Sequence, residues 1–318
     1  MSRPRATAST PTTLAVAVQP RAEARTWLGP LRAALPEARI ELLSDLAPAE
    51  IDYAVAWGTV AGLERCPNLK AIVSLGAGVN HILAQAKLAH LPVVRMIEPG
   101  LTRGMAEFVT LQVLHHHLRM PDFAAQQRAH AWRELFTPLA TQRRVGILGM
   151  GTLGAASAQA LRALGFRVAG WSRRPKTVKG IRTYAGAAGL GPFLATSDIL
   201  VCLLPLTEET RGILDADLFA RLPRGAAVIN VARGGHLVEA DLLAALDSGQ
   251  LSGASLDVFE QEPLPAAHPF WDHPRIVVTP HNAGLTRRDT GSAFVARAIR
   301  SLVKGERPKG LVDRRRGY

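Results

Sequence analysis

Residues 144–154 read RVGILGMGTLG, and this stretch decides the fold. A strand-like run is followed by a GxGxxG loop, and residues 155–164 continue with the alanine- and leucine-rich composition of a helix. In such a unit the first glycine permits a tight turn, the second admits a pyrophosphate to the backbone, and the third lets helix and strand approach closely. The stretch predicts a dinucleotide site formed by Gly149, Met150, Gly151, Thr152, Leu153 and Gly154. A glycine-rich turn without ligand, or the adenosyl-cofactor loop of a methyltransferase, is the alternative.

The tip of the next predicted strand indicates which dinucleotide is bound. An NAD enzyme carries an acid about 20 residues beyond the glycines, where it holds the ribose hydroxyls. Here the tip reads Ser172-Arg173-Arg174. Its hydroxyl and guanidinium groups can bind a 2′-phosphate that an acid would repel. The sequence therefore predicts NADPH as the preferred cofactor, with NADH as a second cofactor. The alternative is that Arg173 and Arg174 belong to a solvated loop and bind no phosphate.

Short apolar runs alternate with helical stretches along the chain, which is typical of parallel α/β sheets. The runs are residues 14–18, 71–74, 144–148, 168–171, 199–204, 227–231 and 276–279. A length of 318 residues suits two domains. Residues 104–130 read as one long helix leading from the first to the second, and residues 293–303 as a helix that returns. We therefore expect a discontinuous substrate-binding domain, residues 1–103 and 286–318, and a dinucleotide-binding domain, residues 104–285.

Composition excludes several classes of protein. Apolar residues make up 47% and charged residues 20%, as in a soluble globular enzyme. No apolar run approaches the roughly 20 residues of a membrane span, and none resembles a signal-peptide core. Cys66 and Cys202 stand far apart, so neither a disulfide framework nor a cysteine zinc site is expected, and a reducing cytoplasmic location fits.

The chain is strongly basic, with a net charge of +12. Its arginines are scattered instead of gathered in a block, so attraction of anionic substrates and cofactors explains the charge as well as nucleic acid does. The first 20 residues carry Arg3 and Arg5 and no acid. We expect a disordered tail there and not an organellar transit peptide.

Three polar segments follow apolar runs in the second half of the chain, where parallel strands place ligands at their carboxyl ends. They are NVARGG at 230–235, DVFEQEP at 257–263 and TPHNAG at 279–284. The planar guanidinium of Arg233 can hold a carboxylate and polarise a ketone. His281 can deliver a proton, since imidazole titrates near neutrality, while Glu262 orients the ring and stabilises its charged form. Taken singly, an ion-paired arginine, a surface acid and a loop histidine explain them equally well.

Together with the glycine loop, these segments resemble the D-isomer-specific 2-hydroxyacid dehydrogenase family, and within it the glyoxylate/hydroxypyruvate reductases. The resemblance runs from SLGAGV at 74–79 through LLPLT at 203–207 to VDRRRGY at 312–318. It implies a Rossmann-type domain, a discontinuous flavodoxin-like substrate domain, and an active site in the cleft between them. It also implies a catalytic triad of Arg233, Glu262 and His281, with His281 as proton donor. The reactions it implies are the NADPH-dependent reduction of glyoxylate to glycolate and of hydroxypyruvate to D-glycerate, and the implied oligomer is a homodimer.

The resemblance also assigns binding residues. The amides of Ala77 and Gly78 are expected to grip the substrate carboxylate, and Trp57 to form a pocket wall; a simple strand-to-helix turn and a core tryptophan are the alternatives. Asn282 and Gly284 depart from the family's usual aliphatic residue and alanine, which leaves the pocket shape open. The further cofactor contacts are expected at Pro205, Leu206, Thr207, Val231, Ala232 and Asp257.

No metal site is expected. His115, His116 and His117 are consecutive, so on a helix their side chains point about 100° apart and cannot converge on one ion. They fit a helix that crosses between domains or lies near a dimer interface.

Two other functions remain open on the sequence. The same fold serves transcriptional corepressors that sense dinucleotides, although an intact triad and a short C-terminus favour an enzyme. A dehydrogenase for another D-2-hydroxyacid is the second alternative. No regulatory domain is expected after Tyr318, which argues against a phosphoglycerate dehydrogenase.

Overall fold

The protein is described by a computed structural model covering residues 11–58 and 60–317. The predicted tail around Arg3 and Arg5 lies outside the described residues. The chain divides into two compact units. The first unit combines the residues up to Gly100 with those from Thr286 onward, and the second is Leu101–Leu285.

The first unit is built on a parallel five-stranded sheet. In chain order its elements before the second unit are β1 (Thr13–Val18), α1 (Arg21–Ala34), β2 (Arg39–Leu42), β3 (Tyr53–Trp57), β4 (Ala71–Ser74), α2 (Asn80–Leu83) and β5 (Val93–Val94). Helix α3 (Pro99–His117) begins at the end of this segment and belongs almost wholly to the second unit. The strand order β2-β1-β3-β4-β5 is the flavodoxin-like doubly wound order. This confirms the fold predicted for that unit.

The second unit is built on a parallel seven-stranded sheet of order β12-β11-β10-β9-β6-β7-β8. Its elements, followed by the helix that returns to the first unit, are α4 (Met120–Arg128), β6 (Arg144–Leu148), α5 (Thr152–Ala163), β7 (Arg167–Ser172), β8 (Arg182–Ala185), α6 (Gly186–Leu194), β9 (Ile199–Cys202), α7 (Ala216–Ala220), β10 (Ala226–Asn230), α8 (Glu239–Asp247), β11 (Leu251–Leu256), β12 (Ile276–Val278) and α9 (Arg288–Val303). The order from β8 to β11 is that of a Rossmann sheet, as predicted, with its topological switch point between β6 and β9.

The cores of both units follow from the sequence pattern. Strand β6 is apolar on both faces, and Val145, Ile147 and Leu148 are at most 1% exposed, as expected for a strand covered by helices on each side. Helix α5 turns Gly154, Ser157, Ala158 and Leu161 inward, which is the i, i+3, i+4, i+7 spacing of one helical face. In the first unit α1 packs against α9.

The prediction of one long helix over residues 104–130 is wrong. Helix α3 begins earlier, at Pro99, and ends at His117, and a separate helix begins at Met120. Arg119 between them has φ 59°, in the left-handed region. Pro121 lies in the first turn of α4, where its missing N–H is tolerated, whereas inside a continuous helix it would remove a hydrogen bond and clash with the preceding turn.

Candidate active site

The glycine loop between β6 and α5 has the geometry of a dinucleotide cradle. Gly149 has φ 102°, and a Cβ there would lie 2.6 Å from the carbonyl oxygen of Leu203. A Cβ on Gly154 would lie 2.0 Å from the carbonyl oxygen of Gly149, so helix and loop are in direct contact. Around Gly151, in contrast, a Cβ would meet nothing within 4 Å. The backbone N–H groups at the start of α5 can therefore be approached by a phosphate.

Basic side chains surround the tip of β7, the next strand. The Ser172 hydroxyl donates to the carbonyl of Arg174 at 2.9 Å, and Arg173 pairs with Glu209, with 2.6 Å between Nη1 and Oε2. Lys176 donates from Nζ to the carbonyl oxygen of Met150, in the glycine loop, at 3.0 Å. The sequence analysis missed Lys176 because no motif includes it. This cluster joins the strand tip to the glycine loop.

Arg233 follows β10 in extended backbone and is partly buried. Its Nη1 donates to the carbonyl oxygen of Ala232 at 2.6 Å. Burial lowers the pKa of Arg233, and the negative charge of Glu262 opposes this effect. The adjacent Gly234 lies so close to the backbone of Phe259 that a Cβ there would be 1.8 Å from the carbonyl carbon. The arginine turn therefore packs directly on the segment that carries Glu262.

Glu262 and His281 form a hydrogen-bonded pair, with 2.7 Å between Oε2 and Nδ1. The second oxygen of Glu262 accepts the N–H of Phe259 at 3.0 Å. Burial favours the neutral carboxyl, but the hydrogen bonds from His281 and Phe259 outweigh it and lower the pKa of Glu262. The group is therefore a carboxylate at neutral pH, and it meets the imidazole as an acceptor.

Asp257 holds the histidine loop in place. Its side chain is 1% exposed and accepts hydrogen bonds from the Thr279 hydroxyl at 2.6 Å, the Asn282 N–H at 2.8 Å and the Ala283 N–H at 2.9 Å. The His281 N–H in turn donates to the carbonyl of Asp257 at 2.9 Å. His281 has φ 56°, which a non-glycine residue adopts only when its surroundings impose it. The bonds to Asp257 supply that constraint.

The substrate-binding residues predicted in the first unit lie side by side. The ring of Trp57, at the end of β3, covers Gly76, where a Cβ would lie 1.9 Å from a ring carbon. The next residues, Ala77 and Gly78, are partly exposed. His81, which the sequence analysis did not select, packs edge-on against Trp57 with ring centroids 5.9 Å apart.

The three consecutive histidines of α3 point in different directions. His116 lies 2.8 Å from the hydroxyl of Ser255 in β11, and the ring of His117 packs edge-on against Phe166. In residues 11–58 and 60–317, no three His, Cys, Asp or Glu side chains come together as a metal-ligand set. Within the same ranges, no helix has the length and apolar character that a membrane span requires.

Comparison with known proteins agrees with this geometry. Residues 110–283 match the sequence model of the D-isomer specific 2-hydroxyacid dehydrogenase family, NAD binding domain. The match covers more than half of the chain. The chain belongs to this family. The predicted family is thereby confirmed, and the protein is an oxidoreductase that acts on the CH–OH group of 2-hydroxy acids.

Solved structures of other dehydrogenases are similar over nearly the whole chain. A family member from Xanthobacter autotrophicus, in complex with NADPH and MES, has 41% identity and a TM-score of 0.92 over 97% of this chain and 100% of that chain. An NADPH-dependent glyoxylate/hydroxypyruvate reductase from Sinorhizobium meliloti, in complex with NADP and sulfate, has 42% identity and a TM-score of 0.90 over 96% and 100%. A probable 2-hydroxyacid dehydrogenase from Rhizobium etli, in complex with NADP, HEPES and tartaric acid, has 37% identity and a TM-score of 0.88 over 98% and 100%.

In this dehydrogenase the matched region contains the glycine loop and all three residues predicted to be catalytic. The turn at Pro205, Leu206 and Thr207 follows β9, and Thr210 closes it, since its hydroxyl donates to the Pro205 carbonyl at 2.7 Å and accepts the Thr207 N–H at 2.9 Å. Val231 and Ala232, after β10, are buried. The sequence analysis missed His236, a buried histidine within the NVARGGH run, because a lone histidine near an apolar segment gives no motif signal.

Proposed function

We propose that this dehydrogenase reduces small 2-keto acids with NADPH, converting glyoxylate to glycolate and hydroxypyruvate to D-glycerate. The proposal depends on the 2.7 Å hydrogen bond between His281 and Glu262, whose ionised form is also stabilised by the positive charge of the partly buried Arg233. The Sinorhizobium meliloti relative is an NADPH-dependent reductase of these two acids. The match to that protein over 96% of this chain supports the same substrate class.

The proposed reaction divides its tasks among three side chains. Arg233 holds the substrate carboxylate and polarises the ketone, since its planar guanidinium presents several N–H donors in one plane. NADPH, when bound, supplies the hydride that becomes the new C–H bond, and is oxidised to NADP⁺. As that bond forms, the C=O electron pair moves onto oxygen. His281 donates the Nε2 proton there, because its Nδ1 side is held by Glu262, and it regains a proton from solvent.

The cofactor of the reaction is NADPH. The three solved relatives above carry NADPH or NADP. In this chain three basic residues, Arg173, Arg174 and Lys176, follow β7 where an NAD enzyme has an acid that holds the ribose hydroxyls, and one acid, Glu209, pairs with Arg173. The backbone around Gly151 gives room for the pyrophosphate.

Trp57, Ala77 and Gly78 complete the proposal as substrate-binding residues of the first unit. The two partly exposed residues follow a buried strand, so their N–H groups are available at its carboxyl end. The Trp57 ring lies over Gly76 and would form an apolar wall beside those amides.

We also propose a homodimer. Apolar side chains are exposed along α3, α4 and the segment that follows, and such surface is typical of an interface. They are Leu111, Leu118, Met120, Phe123, Trp132, Phe136 and Leu139. Trp132 is 97% exposed and Phe136 is 85% exposed.

Light scattering tests the homodimer. We expect the wild type to be a dimer and the double variant Trp132→Ser, Phe136→Ser to dimerise more weakly. Trp271→Ser, a control on another surface, should leave the dimer intact, and a monomeric wild type would contradict the proposal.

Turnover tests the function directly. NADPH oxidation, followed by its absorbance, is measured with glyoxylate, hydroxypyruvate, pyruvate and bulkier keto acids, and kcat/KM is compared across the panel. We expect glyoxylate and hydroxypyruvate to have the highest kcat/KM. An active enzyme that prefers a bulky keto acid would overturn the substrate class, and NADPH binding without any turnover would favour a dinucleotide-sensing protein.

A second histidine–glutamate pair, His268 and Glu239, provides a control for the role of His281. His268 also contacts a glutamate in the second unit, with 3.1 Å between its Nε2 and Oε2 of Glu239. His281→Ala should lower kcat by about 10²-fold or more, as expected for loss of a positioned proton donor. His268→Ala should keep the wild-type kcat, because its partner Glu239 belongs to α8 and not to the proposed site.

A further inference from the structure

His236 is a fully buried histidine that touches two turns of the second unit. It ends the short helical turn that follows Arg233, and its side chain is 0% exposed. Its Nδ1 lies 3.1 Å from the carbonyl oxygen of Arg233, and its Nε2 lies 3.2 Å from the carbonyl oxygen of Pro205. One small ring therefore joins the turn after β10 to the turn after β9.

The turn at Pro205 lies where a dinucleotide is expected. Strands β9 and β6 are neighbours at the switch point of the sheet, and open α/β sheets bind ligands beyond the strand ends at that point. The chain leaving β9 also touches the glycine loop, since a Cβ on Gly149 would lie 2.6 Å from the carbonyl oxygen of Leu203. Displacement of the Pro205 turn would therefore change the wall of the cofactor cradle.

Counting donors identifies the nitrogen that carries the proton. Burial lowers the pKa of His236, so the ring is neutral and has one N–H. The Arg233 carbonyl already accepts the His236 backbone N–H at 3.2 Å and the Asn230 side-chain amide at 3.0 Å. The Pro205 carbonyl has only the Thr210 hydroxyl as another donor among the described residues. The Nε2–H tautomer fills the remaining lone pair of Pro205 and is the favoured one. Nδ1 then carries no proton and makes no hydrogen bond to the Arg233 carbonyl, so His236 is tied to the turn after β10 by its own backbone and to the turn after β9 by Nε2–H.

We propose that His236 is a positioning residue that fixes the turn of the substrate-binding Arg233 relative to the cofactor-binding turn at Pro205, through an Nε2–H bond to the Pro205 carbonyl. The inference rests on the proposed function, since it assigns a substrate and a cofactor to the two turns. A rigid link of this kind sets where the keto carbon lies relative to the hydride donor, and small displacements of reacting groups reduce turnover strongly. His236 itself touches neither reactant in this proposal.

Three substitutions separate the link from simple core packing. His236→Phe keeps a flat ring of similar size without any donor. His236→Gln places an amide N–H at the Nε2 position, whereas His236→Asn reaches only the Nδ1 position. His268→Phe, in the same unit, controls for loss of a partly buried histidine. For each protein we would measure the NADPH dissociation constant by nucleotide fluorescence, the melting temperature without cofactor, and kcat and KM for the keto acid.

We expect His236→Phe and His236→Asn to weaken NADPH binding by about tenfold, the size expected for loss of one buried hydrogen bond. His236→Gln should restore NADPH binding to within about threefold of the wild type. Lower melting temperatures with unchanged NADPH affinity and kinetics would overturn the proposal, because His236 would then act on stability alone. Equal affinities of His236→Gln and His236→Asn would overturn it as well, and that comparison remains decisive if the phenylalanine variant does not fold.

The binding measurement also keeps this inference distinct from the proposed function. A wild-type protein that binds NADPH but reduces no keto acid would refute the proposed reductase activity. The effect of the His236 substitutions on NADPH affinity could still be measured in that protein. Conversely, a fully active reductase in which His236→Phe binds NADPH normally would refute the link alone.

Discussion

The Nδ1 atom of His281 lies 2.7 Å from Oε2 of Glu262, whose other oxygen is anchored by the N–H of Phe259. The carboxylate therefore holds the ring through Nδ1, and in the proposed reaction Nε2 is the nitrogen that donates the proton. Because these hydrogen bonds lower the pKa of Glu262, its carboxylate stays ionised at pH values below those at which a glutamate usually takes up a proton. The negative charge of Glu262 therefore lies directly beside Nδ1 of the imidazole ring.

Glu262→Gln tests the charge of this pair. The amide can still contact the ring, but it no longer stabilises the imidazolium, so kcat for keto-acid reduction at pH 7 should fall by about 10-fold to 100-fold. Activity should recover as the pH is lowered, because solvent then supplies the proton. Rate measurements from pH 5 to 8 check this, with Glu260→Gln, an exposed acid of the same loop, as the control. A wild-type pH profile in Glu262→Gln contradicts the role.

Arg233 should act on both binding and turnover. Arg233→Ala removes the cation for the substrate carboxylate and for the developing charge on oxygen, so KM for the keto acid should rise and kcat should fall, each by about tenfold or more. Arg233→Lys should recover only part of kcat, because a point charge cannot replace a planar fork. NADPH affinity, measured by fluorescence, should change little. Unaltered KM and kcat in the alanine variant would remove Arg233 from the mechanism.

The arginines after β7 should discriminate between the two nicotinamide cofactors. Arg173→Ala combined with Arg174→Ala removes charge-assisted donors to a 2′-phosphate, and NADPH affinity should fall by about 10²-fold while NADH affinity changes by less than about threefold. Fluorescence titrations with both cofactors measure this. Arg182→Ala is the matched control: Arg182 lies in β8, and its guanidinium packs over the ring of Tyr184 in the same strand. Equal losses for the two cofactors would show that neither arginine contacts the phosphate.

We expect Asp257 to stabilise the conformation of the loop that carries His281 and to contribute little to cofactor affinity. Asp257→Asn leaves one acceptor oxygen in place of two, so at least one of the bonds from Thr279, Asn282 and Ala283 is lost. We expect a lower melting temperature and a kcat lowered by about tenfold, with NADPH affinity nearly unchanged. Asp272→Asn, at an exposed position, is the control. A selective loss of NADPH affinity would instead support the nicotinamide contact that the family resemblance implies for Asp257.

The sequence predicted the elements that carry a strong apolar pattern. Strands β6 and β10 were found within one residue of their ends, since buried parallel strands read as continuous apolar runs, and helix α5 was found within three. Strands β2, with the sequence RIEL, and β8, with the sequence RTYA, each lie at one end of a sheet, lack such a run and were missed. Their place in the sheet depends on neighbours that no local pattern encodes.

The same contrast holds in the candidate site. Arg233, Glu262 and His281 each follow a strand, so the rule that ligands bind at strand ends could find them. The roles of Lys176 and His236 depend instead on contacts with the backbone carbonyls of Met150 and Pro205, 26 and 31 residues away in the sequence. Such contacts are set by packing alone, and backbone acceptors leave no trace in the residue types.

The buried histidines should make the fold sensitive to acid. Burial lowers the pKa of His116 to about 3, and its Nε2 lies 2.8 Å from the hydroxyl of Ser255. In the unfolded chain a histidine gains its proton near pH 6.5. Between that pH and about 3, the unfolded state binds one more proton than the folded state at this position. The free energy of unfolding therefore falls as the pH falls through this window, with a slope of about 1.4 kcal/mol per pH unit from His116.

His116→Gln tests this origin, because glutamine keeps an amide near Ser255 but does not titrate. Urea unfolding at several pH values between 4 and 7.5 should show a shallower loss of stability in His116→Gln than in the wild type. His90→Gln, at an exposed position, controls for the loss of one histidine. Parallel curves for His116→Gln and the wild type would mean that the acid sensitivity comes from carboxylates, whose protonation removes hydrogen bonds such as those of Glu262. A shallower curve confined to His116→Gln would place it at the contact between α3 and β11.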